Sequence, residues 1–374
     1  MKKKSKKSGI FLRIIFRILG QKHSINLLGR ILKKRVDSLT VSFPIKVDSI
    51  KEILIILPED PLQVLYQLRN VITLTQIFRH SEICILCEHN ASSYVKMIPG
   101  LNIIEYDSEE CRSFSQDFIS LSQEFKHRID ICFLLEKNPL PALLYLTVIT
   151  GAPIRLGYYG AGSYPFLNLR FRPDNNKKYL PEINNTLTTL FGISQSKRVR
   201  WSVARKTIEE IDQLIKESKI NRSEKIFGLD PLWFYRKFGA SWTEKLIKSI
   251  CSINGNVLYL YTDEEPEDDE LAWLSEQKLP VFSNLSAQRT AALLTKSELI
   301  ITGNTILYAL AGLLEKPAIG LFEDQEFETY CPQSHVLKGI SYTKTPDQAL
   351  VDQIASVATG ILRRGSEKFF SHKF

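Results

Sequence analysis

From Lys51 onward, short apolar runs alternate with longer stretches of mixed character. The runs are EILIILP (52 to 58), EICILC (82 to 87), LNIIEY (101 to 106), IDICFLL (129 to 135) and PIRLGYY (153 to 159). Each is nearly continuous in hydrophobicity, the pattern of strands buried on both faces. Helix-length stretches separate them at 61 to 79, 113 to 126 and 139 to 150, the last opened by Asn138-Pro139. Strand and helix in strict alternation predict a parallel sheet. A polar stretch, 171 to 203, holds one helix-like segment, YLPEINNTLTTLFGI, and reads as the connection between two domains. A helix over 204 to 218 opens a second half that repeats the grammar. Strands are expected at 225 to 229, 256 to 262, 298 to 303 and 317 to 322, with helices at 239 to 253, 266 to 276, 286 to 296 and 305 to 315. The expectation is α/β: two Rossmann-like domains, 50 to 200 and 204 to 345, facing a cleft. A helix near 346 to 363 would pack back on the first domain ahead of a basic tail. Ligands would bind at the carboxyl ends of the strands.

The first 45 residues follow another pattern. In GIFLRIIFRILG (9 to 20), Arg13 and Arg17 share one face of a helix whose remainder is Ile10, Phe11, Ile14, Ile15, Ile18 and Leu19. The two arginines interrupt the run, no small-residue cleavage site follows, and the segment is shorter than the roughly 20 apolar residues a spanning helix needs. A second amphipathic stretch sets Leu27, Leu28, Ile31, Leu32 and Val36 against Arg30, Lys33 and Lys34. Such helices lie in the plane of an anionic membrane surface, and Arg13, Arg17, Lys33 and Lys34 are the candidate lipid contacts. The expected location is cytoplasmic, peripheral on the inner membrane.

Charge sharpens this division. Residues 1 to 40 hold twelve Lys or Arg against Asp37 alone, so a chain of net charge +8 is a strongly basic arm on a mildly acidic body. That distribution argues against a nucleic-acid footprint. Six cysteines in 374 residues do not make a disulfide framework, and Cys84 and Cys87 in a strand point to opposite faces. No histidine has a metal-type partner spacing, and neither a G-x-S-x-G nor a Walker A motif is present. Cys331 and His335 read as structural residues of a late loop.

The most specific stretch is NLSAQRTAALLTKSELIITGNTILYALAGLLEKPAIGLF (284 to 322). A strand ending in Gly303, Asn304 and Thr305 directly before a helix offers free N–H groups and a positive dipole end to a diphosphate. This stretch, with ILIILP and NPLPALLYLTVITGAPIRLGYYG, resembles the family 9 glycosyltransferases, the ADP-heptose:lipopolysaccharide heptosyltransferase family, over residues 52 to about 360. The resemblance implies a GT-B type fold, an acceptor domain followed by a nucleotide-sugar domain, and inverting transfer without a catalytic metal. No cofactor is implied beyond the donor itself, a nucleotide sugar such as ADP-heptose, and the acceptor would be a glycolipid or surface glycan of the lipopolysaccharide kind.

Carried over residue by residue, the match is uneven. The family's proposed catalytic Asp falls on Gln63, whose amide cannot take a proton as a carboxylate does. Asn304 stands where the family has Asp, Ile306 and Ala309 replace its Gly and His, and Thr305 is retained. Lys237, with Arg236 beside it, sits where the family places a phosphate-contacting Lys. Asp263 or Glu264, in the acidic run DEEPEDDE (263 to 270), falls near its ribose-binding acid. Arg155, Gly157 and Tyr158 keep an R-I-G-Y pattern, and Gly160 and Gly162 allow a tight loop. Two readings stay open: Glu59 or Asp60, in the loop PEDP, replaces the missing base, or these are turn residues and the chain binds without transferring.

Overall fold

The computed structural model describes residues 29–30, 45–126, 128–160, 163–172, 180, 187, 190–191, 203–218, 225–253, 255–260, 266–278, 280–283, 285–332, 334, 336–343 and 347–370. Arg13, Arg17, Lys33, Lys34, Asp263 and Glu264 lie outside them, as does most of YLPEINNTLTTLFGI. The chain divides between Arg198 and Val199 into two compact units, with Lys178–Leu180 grouped with the second.

The first unit is a six-stranded parallel sheet in the order β3-β2-β1-β4-β5-β6. Its strands are β1 (Glu52–Ile56), β2 (Glu82–Glu88), β3 (Asn102–Tyr106), β4 (Ile131–Leu134), β5 (Ile154–Tyr158) and β6 (Leu169–Phe171). Its helices are α1 (Pro61–Ile77), α2 (His89–Val95), α3 (Ser108–Ser113), α4 (Gln116–Glu124) and α5 (Pro141–Ile149). Ile53 through Ile56 and Ile131 through Leu134 are buried without interruption, as helices on both faces require. Each such side chain contributes about 1.5–3 kcal/mol by leaving water.

The second unit repeats the order as β12-β11-β10-β7-β8-β9. These strands are β7 (Lys225–Leu229), β8 (Gly255–Leu260), β9 (Val281–Phe282), β10 (Leu299–Gly303), β11 (Ala318–Glu323) and β12 (Leu337–Tyr342). The helices are α6 (Arg205–Glu217), α7 (Pro231–Phe238), α8 (Ala240–Cys251), α9 (Asp268–Glu276), α10 (Ala287–Lys296), α11 (Ile306–Leu313), α12 (Asp324–Tyr330) and α13 (Gln348–Phe370). In α13, Leu350, Val351, Ile354 and Ala358 recur at helical spacing and enter the second unit's core.

The nine strands expected from the hydrophobic pattern are all present, and β6, β9 and β12 join them. One difference has a clear cause. The helix expected over 113 to 126 is α4, and the unexpected short helix α3 precedes it; Phe114 separates them in a left-handed conformation (φ 51°) with its ring buried, and Ser115 then caps α4 by accepting from the Phe118 amide at 3.0 Å. Among the described residues no helix is long and apolar enough to cross a membrane.

Candidate functional site

In a 3-2-1-4-5-6 sheet the chain leaves strands 1 and 4 in opposite directions, and their carboxyl ends open a crevice. In the first unit the loops after β1 and β4 therefore frame the site. Asp60 precedes Pro61 and caps α1, its Oδ1 accepting from the Leu62 amide at 2.9 Å. Glu59 is half-buried, and its carboxylate pairs with the Arg112 guanidinium of α3. The Glu59 amide donates to Glu136 Oε2 at 3.4 Å, and Glu136 Oε1 accepts from the Asn138 amide at 3.0 Å. Glu136 thus ties the loops after β1 and β4 together. Sequence reasoning passed over Glu136 and Arg112, since neither sits in a motif.

Behind this loop α1 buries an amide where an apolar residue would be ordinary. Gln67 Nε2 donates to the Leu135 carbonyl at 3.3 Å and to the Tyr158 hydroxyl at 3.1 Å. Gln63 lies one turn earlier and half-buried. Arg155 of the R-I-G-Y pattern is buried, with Nε donating to the Phe166 carbonyl at 2.7 Å and Nη1 to the Ala152 carbonyl at 2.8 Å. It pins the loop between β5 and β6 to the sheet.

At the sheet's edge, a cleft of about 450 Å³ is lined by His89, Glu105, Tyr106, Asp107, Glu110, Cys111 and Asp117 among others. The Lys96 ammonium and the His89 ring hydrogen-bond Glu105 and hold its carboxyl down at about 2. A depressed carboxyl contributes stability above its ordinary value near 4.5 that is lost as pH falls towards 2. The Glu105→Gln variant should lack this limb, losing about 1 kcal/mol at neutral pH and converging with the parent in acid urea titrations. Burial pushes the Cys84 thiol up to about 11 and the Cys87 thiol up to about 12, so the pair is inert core.

In the second unit the corresponding switch lies between β7 and β10. Asp230 follows β7, donates its amide to the Ile301 carbonyl at 3.2 Å, and caps α7 by accepting from the Trp233 amide at 3.2 Å. Thr302, buried, donates to Asp230 Oδ2 at 3.4 Å and shares a 2.8 Å hydroxyl contact with Thr305, the cap residue of α11. Asn304, Thr305 and Ile306 are half-buried.

Gly303 is packed closely by another helix. A Cβ there would lie 2.1 Å from Trp233 Cε2, so the position is bare to admit the indole. Thr305 also turns its amide inward, onto the Gly303 carbonyl at 2.9 Å. The amides without a backbone acceptor among the described residues are those of Ile306 and Leu307, in the first turn of α11. Lys237, one helical turn beyond Trp233 on the same face of α7, pairs with Glu323 at the carboxyl end of β11. That contact holds the ammonium above its usual range. Arg236 is committed elsewhere, gripping Glu270 of α9 with Nε to Oε1 at 2.6 Å and Nη2 to Oε2 at 2.9 Å. The structure therefore places Thr305 and Ile306 at the start of α11, sets Lys237 against Glu323, and commits Arg236 to fixing α9. Among the described residues no cluster of His, Cys, Asp or Glu fits a metal ion.

No family model matches the sequence, and no curated protein does. Solved structures do. A family 9 glycosyltransferase from Veillonella parvula superposes with a TM-score of 0.69 at 13% identity, over 84% of this chain and 97% of that one. The E. coli ADP-heptose lipopolysaccharide heptosyltransferase II gives 0.65 at 15% identity, over 84% and 99%. An E. coli heptosyltransferase with ADP gives 0.61 at 12%, over 83% and 99%. The fold is that of the family 9 glycosyltransferases. At these identities the likeness establishes the α/β GT-B type architecture expected from the sequence, and the chemistry has to come from the residues.

Proposed function

We propose that this chain is a glycosyltransferase that moves a sugar, heptose or a close analogue, from a nucleoside diphosphate to a lipopolysaccharide or other surface-glycan acceptor. The observation that carries the reading is the α11 start at the switch of the second sheet, where the Ile306 and Leu307 amides have no backbone acceptor among the described residues and the helix dipole adjoins Thr305, with Lys237 on the helix that follows β7. That end suits a diphosphate, which would draw Lys237 away from Glu323 as the stronger partner. One structural neighbour is described with ADP, which supports a nucleotide-sugar partner.

The reaction is a single displacement with inversion. The acceptor hydroxyl oxygen bonds to the anomeric carbon, the bond from that carbon to the diphosphate oxygen breaks, and the hydroxyl proton passes to Glu59. The diphosphate leaves with the electron pair, its charge held by the α11 amides and Lys237 in place of a metal. Glu59 suits the base better than Asp60: Arg112 orients it without a helix dipole, whereas Asp60 is engaged in capping α1. We place the enzyme on the cytoplasmic side of an inner membrane, held by the basic arm. A second reading, a binding protein without transfer, draws support from Gln63 and from Asp60's commitment to its cap.

Titration calorimetry with ADP and ADP-heptose, followed by turnover on lipopolysaccharide acceptor, tests this. Binding that weakens at least tenfold in Lys237→Ala is expected. If neither ligand binds, the donor site is wrong; binding without turnover favours the second reading.

A further inference from the structure

Edge strand β6 carries a cluster that none of this chemistry uses. Tyr159 and Tyr164 are large aromatics left 48% and 39% exposed. The Arg170 guanidinium stands 5.2 Å from the centre of each ring, and that of Arg172 stands 4.0 Å over Tyr159. Both arginines are exposed, and neither pairs with a carboxylate among the described residues. The chain from 137 to 173 contains no Asp or Glu at all. A surface with exposed tyrosines and unneutralised arginines stacked on them combines the two residue types that settle at a lipid interface. The ring takes the boundary and the guanidinium the headgroup phosphate.

A residue of the basic arm lies beside this surface. Gly29, in the basic arm, is buried at the neighbouring loop, where a Cβ would meet Pro165 Cδ at 3.4 Å, while Arg30 next to it is exposed. Gly29 therefore lies against the residue next to Tyr164.

We infer that the β6 edge, through Tyr159, Tyr164, Arg170 and Arg172, is a second membrane-binding surface for anionic phospholipid headgroups, beside the described residue Gly29. It rests on the membrane reading of that arm and extends it to the folded body. The surface would fix the orientation of the first unit on the bilayer.

The test is co-sedimentation of the full chain with vesicles of phosphatidylcholine containing one third phosphatidylglycerol, beside pure phosphatidylcholine vesicles and duplex DNA at matched salt. The parent should bind only the anionic vesicles. Arg170→Ala with Arg172→Ala should weaken binding about thirtyfold, roughly fivefold per cation. Arg170→Lys with Arg172→Lys should restore most of it, and ADP binding should stay unchanged in both. The inference is overturned if the alanine pair binds vesicles as the parent does while an arm variant, Arg13→Ser with Arg17→Ser, does not, which leaves the arm reading intact. It is equally overturned if the parent binds no vesicles, or if the alanine pair loses DNA binding rather than lipid.

Discussion

Replacing Glu59 by Gln should slow sugar transfer by about 10²–10⁴-fold while leaving ADP-sugar affinity unchanged. The amide keeps the shape of the side chain and can still meet Arg112, but it cannot accept the proton that the acceptor hydroxyl must lose. Donor affinity is untouched because the residues assigned to the diphosphate belong to the second unit. The comparison that gives this result its meaning is Asp60→Asn. Asn serves as an N-cap nearly as well as Asp, so the Leu62 amide keeps its acceptor and α1 keeps its start. Turnover in that variant should stay within a few-fold of the parent. Should Asp60→Asn abolish turnover and Glu59→Gln spare it, the base is Asp60. Arg112→Ala should give an intermediate loss, because it frees the base without removing it.

The architecture could be read from the sequence because parallel strands buried on both faces announce themselves as continuous apolar runs, and nine of the twelve described strands sit in such runs. What escaped was short, at an edge, or both. Strand β6 is Leu169–Phe171 and β9 is Val281–Phe282, each too brief to set a period. Strand β12 carries Lys338 and Gly339 amid its apolar positions, as an edge strand with one open side can. Helix α7 was missed although its signal was present: Asp230-Pro231 repeats the cap-and-proline start of Asp60-Pro61. The site was only partly legible. Motif spacing located the turn at 303 to 305, but the partner that explains Gly303 lies seventy residues away in sequence, and no local pattern reveals an indole arriving from another helix. Glu136 and Arg112 likewise matter through the strand order that gathers them.

That indole leads to the second large effect. Gly303→Ala should cost about 3 kcal/mol, at the upper end of what overpacking does, read as a lower urea midpoint at constant slope. The added methyl would stand 2.1, 2.3 and 2.5 Å from three carbons of the Trp233 ring, distances no relaxation of the methyl itself can relieve. Nor can the ring easily retreat, since it is wedged edge-on against Phe234, Phe238 and Tyr342 at 5.1, 5.7 and 6.3 Å between centroids. The strain must then move β10 or α7, and with them Thr305 and Lys237, so diphosphate affinity should fall together with stability. The double variant Gly303→Ala with Trp233→Ala separates this cause from others. With the ring gone, the methyl enters vacated space, and the two changes together should cost clearly less than the sum of each alone. Strict additivity would mean that the glycine serves the turn's own backbone, and would return Gly303 to the ligand-facing role its position in the motif first suggests.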